Sequence, residues 1–231
     1  MDILTVDVGG THVKVLRSGK RTPRKADSGP GLTPARLVTL VKKLADGWSY
    51  DAVSIGYPGL VVQGKIAADP HNLGRGWVRF DFRRALGKPV KVINDAAMQA
   101  LGSYEGGRML FLGLGTGLGS AVIADGNLQP MELAHLPYKK GKCYEDYVGA
   151  RGYEKFGKRK WRKHVLEVIE LLRGALEPDY VVVGGGNAKK LVDLPPGVRL
   201  GENANAFAGG FRLWRQQGAA KGGGRHANRL P

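Results

Sequence analysis

The chain has a single cysteine, Cys143, in 231 residues. A lone thiol excludes an intrachain disulfide and any zinc cage built from cysteines, and it suits a reducing compartment. No apolar run approaches the ~20 residues that a membrane-crossing helix needs. The amino terminus enters an apolar stretch at Ile3 without the layout of a secretory signal, so the expectation is a cytoplasmic protein. Acidic residues are scarce: 20 Asp and Glu stand against 36 Lys and Arg, for a formal charge of +16. A surface so basic suits a polyanionic partner, whether nucleic acid, an acidic membrane face or a phosphate-rich substrate, or else serves solubility alone. Two nucleotide signatures are also missing. No Gly-Lys pair is followed by Ser or Thr, which excludes a Walker P-loop, and the glycines of 113–119 fall at every second position, not in the GxGxxG spacing of a Rossmann turn.

Glycine, by contrast, is abundant at 36 residues. The run Ile3-Leu4-Thr5-Val6 leads into Asp7-Val8-Gly9-Gly10-Thr11-His12-Val13-Lys14, which reads as a strand, a tight Gly-Gly reversal and a returning strand. Asp7 then stands at a strand end beside backbone N–H groups that no bulky side chain shields. A carboxylate next to an open amide turn is what a hydrated magnesium ion and a phosphoryl group need. The same order recurs about a hundred residues later: the strand Met109–Leu112, the turn Gly113–Ser120, the strand Ala121–Ile123. Such a spacing predicts two related lobes, each with a phosphate loop. A third turn, Gly184-Gly185-Gly186, follows the apolar run Tyr180–Val183. Together the three turns predict a cleft rich in anion-binding amides.

The stretches between them alternate helix and strand, which predicts α/β architecture. Thr33-Pro34 begins a helix whose buried stripe is Leu37, Leu40, Val41 and Leu44. Residues 51–56 read as a strand, 60–62 as a second, 81–86 as a short helix and 90–93 as a buried strand. Asn94-Asp95 stands at the carboxyl end of that last strand, ahead of a helix over 96–101. Residues 18–34 read as a loop with room for a short strand, and 153–176 as one long helix or two, with a basic first part that suits a solvated face. Residues 203–217 read as helical, and the basic tail beyond as disordered.

Seven motifs now stand in one order: Asp7-x-Gly-Gly-Thr11, Gly56-Tyr-Pro-Gly59, Asn72-Leu-Gly-Arg-Gly-Trp77, Asn94-Asp95-Ala96, Leu114-Gly-Thr-Gly-Leu-Gly119, Glu132-Leu-Ala-His135 and Val182-Val-Gly-Gly-Gly186. In this order they resemble the ROK-family sugar kinases, over residues 3 to about 215. The resemblance implies the two-lobed actin-like, ribonuclease-H-like α/β fold, with sugar and phosphoryl donor meeting in an interlobe cleft. It divides the chain into an N-terminal lobe (1–105), a C-terminal lobe (106–202), a helix (203–217) that packs back on the N-terminal lobe, and a tail (218–231). Carried over by motif, Asp95 is implied as the general base. Gly59, Asn94, Glu132, His135 and Glu145 are implied as sugar binders. Gly9, Gly10, Thr11, Lys14, Gly115, Thr116 and Gly117 are implied at the donor phosphates, and Gly184, Gly185 and Gly186 beside a nucleotide. Asp7 is implied near Mg²⁺, through water.

This sequence departs from the family pattern in three ways. Only Cys143 lies where many members carry a cysteine-rich zinc motif, so no zinc site is expected. Ala134 replaces the glycine usual before the histidine. The phosphate loop begins at residue 7, so no DNA-binding module is expected ahead of it and the repressor branch is not the expected one. The zinc-free layout and Glu177-Pro-Asp-Tyr-Val-Val-Val-Gly-Gly-Gly186 are most similar to the polyphosphate glucokinase branch. The expected activity is phosphoryl transfer from polyphosphate or ATP to the 6-hydroxyl of glucose or a related hexose. The alternative is a catalytically weak binding or regulatory protein whose basic surface holds nucleic acid. No membrane partner is expected, and a homodimer is allowed.

Overall fold

A computed structural model describes residues 1–70, 72–202 and 204–215. The basic tail and the ends of the expected 203–217 helix therefore lie outside the described residues. Two five-stranded sheets carry the chain, in the orders β3-β2-β1-β4-β7 and β10-β9-β8-β11-β12. In the first, β1 (Ile3–Val8) pairs antiparallel with β2 (His12–Arg17), which pairs with β3 (Arg24–Asp27). On its other side β1 runs parallel to β4 (Ala52–Tyr57), and β4 to β7 (Val90–Asn94). In the second, β8 (Arg108–Leu114) pairs antiparallel with β9 (Leu118–Ala124), and β9 with β10 (Asn127–Met131). Parallel to β8 lies β11 (Tyr180–Gly184), then β12 (Val198–Leu200). Each sheet is thus a hairpin extended by parallel crossovers. The recurrence read in the sequence holds at the level of topology. A small hairpin, β5 (Val61–Val62) and β6 (Lys65–Ile66), turns at Gln63 and Gly64, both with positive φ as a two-residue turn requires.

Among the described residues six helices cover the sheets: α1 (Pro34–Leu44), α2 (Phe82–Leu86), α3 (Asp95–Ser103), α4 (Tyr144–Val148), α5 (Ala150–Leu176) and α6 (Asn205–Arg212). Their ends follow capping chemistry. The Thr33 hydroxyl accepts from Arg36 N at the start of α1, and Asp81 accepts from Arg84 N at the start of α2. Gly87, at φ 67°, ends α2 in the left-handed region. The long basic helix is two segments joined at Gly157, whose φ of 71° and ψ of 163° no helix contains.

Side-chain alternation along β8 and β11 shows why the second sheet is buried on both faces. Leu110, Leu112, Val181 and Val183 join the α5 residues Trp161, Val165 and Ile169. Met109, Phe111 and Val182 join Ala97, Ala100 and Leu101 of α3. A period of two sends alternate residues to opposite faces. In the first sheet Leu4, Val6, Val13, Val15 and Ile55 pack with Leu37 and Val41 of α1.

Two helices tie the lobes together. α3 leaves the first sheet and packs against the second. α6, which follows the second sheet in the chain, returns to the first and lies against α3, β1 and β4. Glycines permit this. A Cβ on Gly102 would stand 1.8 Å from Asn205 O, and one on Gly209 would stand 1.8 Å from Met98 O. The Ser54 hydroxyl donates to Gly210 O at 2.6 Å and accepts from Trp214 Nε1 at 2.8 Å, which fixes α6 on β4.

The structure departs from the sequence reading in several places. β3 forms within 18–34, read as a loop with room for a short strand, and β10 returns from Asp125-Gly126, a hairpin signal in the sequence, whereas β12 and α4 were not expected as elements. The first two are edge strands with exposed or half-buried, weakly alternating residues, so the periodic signal is absent. Gly9 and Gly10 do not adopt positive φ. Their value is room: a Cβ on Gly9 would meet His12 O at 3.0 Å, and Gly10 faces open space. Among the described residues no helix is long and apolar enough to cross a membrane.

Candidate active site

Strand register brings the two carboxylates together. Asp7 pairs with Gly56 across β1 and β4, and Gly56 pairs with Ile93 across β4 and β7. Asp95 follows one residue after the end of β7, as the first residue of α3. Gly56 lets that helix settle on the sheet. A Cβ there would meet Met98 Cε at 2.3 Å and Asp95 Cα at 3.6 Å. On the far side, a Cβ on Gly119 would strike Ala96 Cβ at 2.6 Å, so α3 also begins against β9. Asp95 therefore sits where both sheets present the carboxyl ends of their central strands.

Burial pushes the Asp95 carboxyl up to about 7, and the neighbouring Asp7 adds to the shift, while the amide of Ala96, which donates to it at 2.8 Å, opposes both. Burial also raises Asp7. Lys14, directly across the β1–β2 pair, lowers it again from 3.6 Å. Two carboxyls close enough to feel one another, one of them near neutrality, suit proton transfer at physiological pH.

Asn94 caps α3, its Oδ1 accepting from Ala97 N at 3.1 Å, and its Nδ2 donates to Gly59 O at 3.1 Å. It thereby ties the Pro58-Gly59 turn to the start of the catalytic helix candidate. Near that turn Asp69 accepts from Gly76 N and from Trp77 N, the latter at 2.8 Å, and these amides hold its carboxyl below the usual range. The sequence reading did not single out Asp69.

The glycine turns are held by their carbonyls. In the first, the Ser28 hydroxyl donates to Gly9 O at 2.8 Å and Ser28 N donates to Thr11 O at 3.0 Å. In the second, Asn187 Nδ2 donates to Gly115 O and Ala150 N to Thr116 O, each at 3.0 Å. With the carbonyls held, the amides of Gly10, Thr11, Thr116 and Gly117 donate to no protein acceptor among the described residues. Ser28 and Asn187 were missed in the sequence. Ser28 carries no local signal, whereas an asparagine directly after Gly184-Gly185-Gly186 is at least a turn residue. The third turn follows from the second: Gly185 has φ 85°, and a Cβ on it would clash with Leu114 O at 2.5 Å.

Glu145 lies against the second turn. Its Oε2 accepts from Leu118 N at 3.1 Å, and a Cβ on Gly117 would stand 2.0 Å from the same oxygen. Glu132 precedes and His135 ends a 3-10 turn (Leu133–His135) that packs against α4 through the buried Leu133 and Ala134, and their own side chains are 65% and 73% exposed, with His135 Nδ1 3.7 Å from Glu132 Oε2. Among the described residues no hydrogen bond or ion pair joins either to Asn94, Asp95 or Glu145. Their turn hangs from β9, since Leu133 N donates to Ser120 Oγ and that hydroxyl donates to Met131 O. Cys143 precedes α4, where its N–H and its thiol both donate to Asp146 Oδ2, at 3.0 and 3.2 Å.

Comparison with known proteins bears on the family and the fold. The family model described as "ROK family" matches residues 3–130. A curated relative, the polyphosphate glucokinase of Mycobacterium tuberculosis (strain ATCC 25177 / H37Ra), is 29% identical over 206 residues, which span 82% of this chain and 73% of the relative. The crystal structure of an inorganic polyphosphate/ATP-glucomannokinase from Arthrobacter sp. strain KM superposes with a TM-score of 0.80 at 24% identity, over 94% of this chain and 99% of that one. A ROK family glucokinase from Streptomyces griseus, in complex with glucose and AMPPNP, gives a TM-score of 0.74 at 17% identity, over 94% and 100% of the two chains. At such identities the structural likeness establishes the fold.

Proposed function

The chain belongs to the ROK family, and from that premise we propose that it transfers a phosphoryl group from polyphosphate or ATP to the 6-hydroxyl of glucose or a related hexose. Residues 1–105 and 106–202 are the lobes that flank the reaction. The observation that carries the reading is Asp95, a part-buried carboxyl raised to about 7 beside Asp7, on a helix that begins against the second glycine turn. As general base it takes the proton from the sugar hydroxyl while that oxygen attacks the terminal phosphorus. The bond from phosphorus to the donor's bridging oxygen breaks in line. Little covalent chemistry falls to the protein in such a transfer, so catalysis rests on positioning and charge stabilisation.

Each further group has a role in this scheme. The open amides of Gly10, Thr11, Thr116 and Gly117 hold donor phosphate oxygens, with Gly9 and Gly115 giving the turns their shape and Lys14 adding a cation. Gly184, Gly185 and Gly186 line the outer part of the donor site. Asn94, Glu145 and the backbone at Gly59 receive the sugar, with the exposed side chains of Glu132 and His135 as further hydroxyl partners. These residues also fit a magnesium ion. Asp7 is a hard oxygen ligand 14% exposed, and the described residues contain no group of three or more His, Cys, Asp or Glu that could cage a metal. That donor set suits an ion that keeps most of its water and takes phosphate oxygens. Asp7 would hold it through water, and when bound it would neutralise charge on the donor phosphates.

Two measurements test the proposal. A matrix of sugars against ATP, GTP and polyphosphate, each with Mg²⁺, should yield a hexose 6-phosphate with at least one donor. No product from any pair, together with tight binding of duplex DNA at physiological salt, would favour a nucleic-acid-binding protein instead. The pH profile is the second. A base that titrates near 7 is active only when deprotonated, so kcat/KM should fall about tenfold per pH unit below that point and level off above it. A flat profile between pH 5.5 and 8 would remove Asp95 from the role.

A further inference from the structure

The basic residues of this chain are concentrated beside the second and third glycine turns. Between Ala150 and His164 stand Arg151, Lys155, Lys158, Arg159, Lys160, Arg162 and Lys163, against one acid, Glu154; Lys189 and Lys190 add two more. Nine cations and one acid over so short a stretch account for half of the formal +16. None of the nine comes within ion-pair distance of a carboxylate among the described residues.

Their placement is set by the same contacts that hold the turns. The first residue of α5 donates to Thr116 O, and a Cβ on Gly149 would lie 2.8 Å from that oxygen. Asn187, which holds Gly115 O, leads directly into the 3-10 turn Ala188–Lys190. That turn is fastened back to α5: Arg162 Nε donates to Lys190 O at 2.5 Å, and Lys190 Nζ sits 3.5 Å above the Tyr153 ring. The second glycine turn therefore opens between the start of α5 and the 3-10 turn, with cations on both sides. Arg151 and Lys155 stand one helical turn apart on the first segment of α5, which rises about 10 Å before the break at Gly157, and Lys158 and Arg162 stand one turn apart on the second. The charge extends well past the reach of the glycine-turn amides.

We propose that this surface is a track for the distal phosphates of a long polyphosphate donor, leading away from the second glycine turn along α5 and past Lys189. The inference rests on the reading of the chain as a phosphotransferase that accepts polyphosphate. A nucleoside triphosphate carries three phosphates and would not reach the outer cations. A long polyphosphate meets them all, each phosphate contact releasing a counterion. Lys155, Lys158, Arg159 and Lys189 are exposed, so replacing them leaves the core untouched.

The test is the fourfold variant Lys155→Gln, Lys158→Gln, Arg159→Gln, Lys189→Gln in the full chain. Binding of a fluorescent long-chain polyphosphate is measured against NaCl without turnover, beside KM for long-chain polyphosphate, tripolyphosphate and ATP. The expected results are at least tenfold weaker binding of the long chain and a salt slope shallower by about 0.7 per removed contact. KM for long-chain polyphosphate should rise in step, and KM for tripolyphosphate, ATP and sugar should stay within about twofold. Binding that survives the substitutions overturns the track even where polyphosphate supports turnover. An equal loss for tripolyphosphate and long chain also overturns it, because the cations would then act as a general field. So does displacement of the polyphosphate by single-stranded DNA at equal phosphate concentration, which would make the face a nucleic-acid surface. If the wild-type binds polyphosphate through these cations but turns over only ATP, the donor reading fails while the track stands.

Discussion

Replacing Asp95 by asparagine is expected to lower kcat by about 10²–10⁴-fold while KM for sugar and donor changes by only a few fold. The amide keeps the shape of the carboxyl and its contact with Ala96 N but cannot accept the hydroxyl proton. Steady-state kinetics with the preferred sugar and donor check the result, and kcat within tenfold of wild type would remove Asp95 from the base role. The same substitution makes a second, opposite prediction about stability. A carboxyl raised to about 7 holds its proton more tightly in the folded protein than in the unfolded chain. Its contribution to stability is therefore full below about pH 4 and is lost as pH rises to about 7. Above that pH the wild-type carries a buried charge beside Asp7, and the variant does not. Asp95→Asn should accordingly melt several degrees higher than wild type at pH 8 and no higher at pH 4. An inactive variant that is also more stable at alkaline pH is the signature of a functional group held in a costly environment, and a structural carboxylate would give the reverse.

The largest effect on stability is expected from Gly102→Ala. The new methyl would stand 1.8 Å from Asn205 O and 2.8 Å from Gly209 N, both backbone atoms of α6 that have nowhere to move. Forcing α3 and α6 apart would also strain the Ser54–Gly210 and Trp214–Ser54 hydrogen bonds that seat α6 on the first sheet. Overpacking of this kind costs about 3 kcal/mol, or on the order of 10 °C in melting temperature for a chain of this size. Gly174→Ala is the control. It lies in α5, nothing stands within 4 Å of its added Cβ, and its φ is not positive. There the same substitution should be neutral or stabilising by up to ~1 kcal/mol, because alanine is the better helix former. Equal melting temperatures for the two variants would show that α3 and α6 do not pack as described.

The reasons behind these two predictions were unequally visible in the sequence. Asp95 was legible, because a carboxylate at the end of a short apolar strand is a local pattern. Its partnership with Asp7 was not, since it depends on the register of β1, β4 and β7, and register is a property of pairing between strands far apart in the chain. Gly102, Gly209 and Gly210 gave no functional signal in the chain. Gly209 and Gly210 read as ordinary helix residues and Gly102 as the residue just past a helix end, and only the crossing of α3 and α6 shows what their missing side chains allow. The glycines at 9 and 10 were correctly placed in a turn but for an incomplete reason, because what they provide is close approach and open amides, not positive φ.

By itself the sequence determined the α/β alternation, the strand–glycine–strand turns and their recurrence, the position of Asp95 at a strand end, and the concentration of positive charge in 151–163. These are local matters of apolar periodicity, turn chemistry and composition, and they survive in one dimension. The tertiary structure alone decided which of those features meet. It brought Asp7 and Asp95 to neighbouring strand ends and anchored the turn carbonyls through Ser28 and Asn187. It also exchanged α3 and α6 between the lobes and placed the basic face of α5 at the mouth of the second turn. Each of these depends on backbone groups and side chains brought together across long stretches of chain, and no local propensity encodes such a meeting.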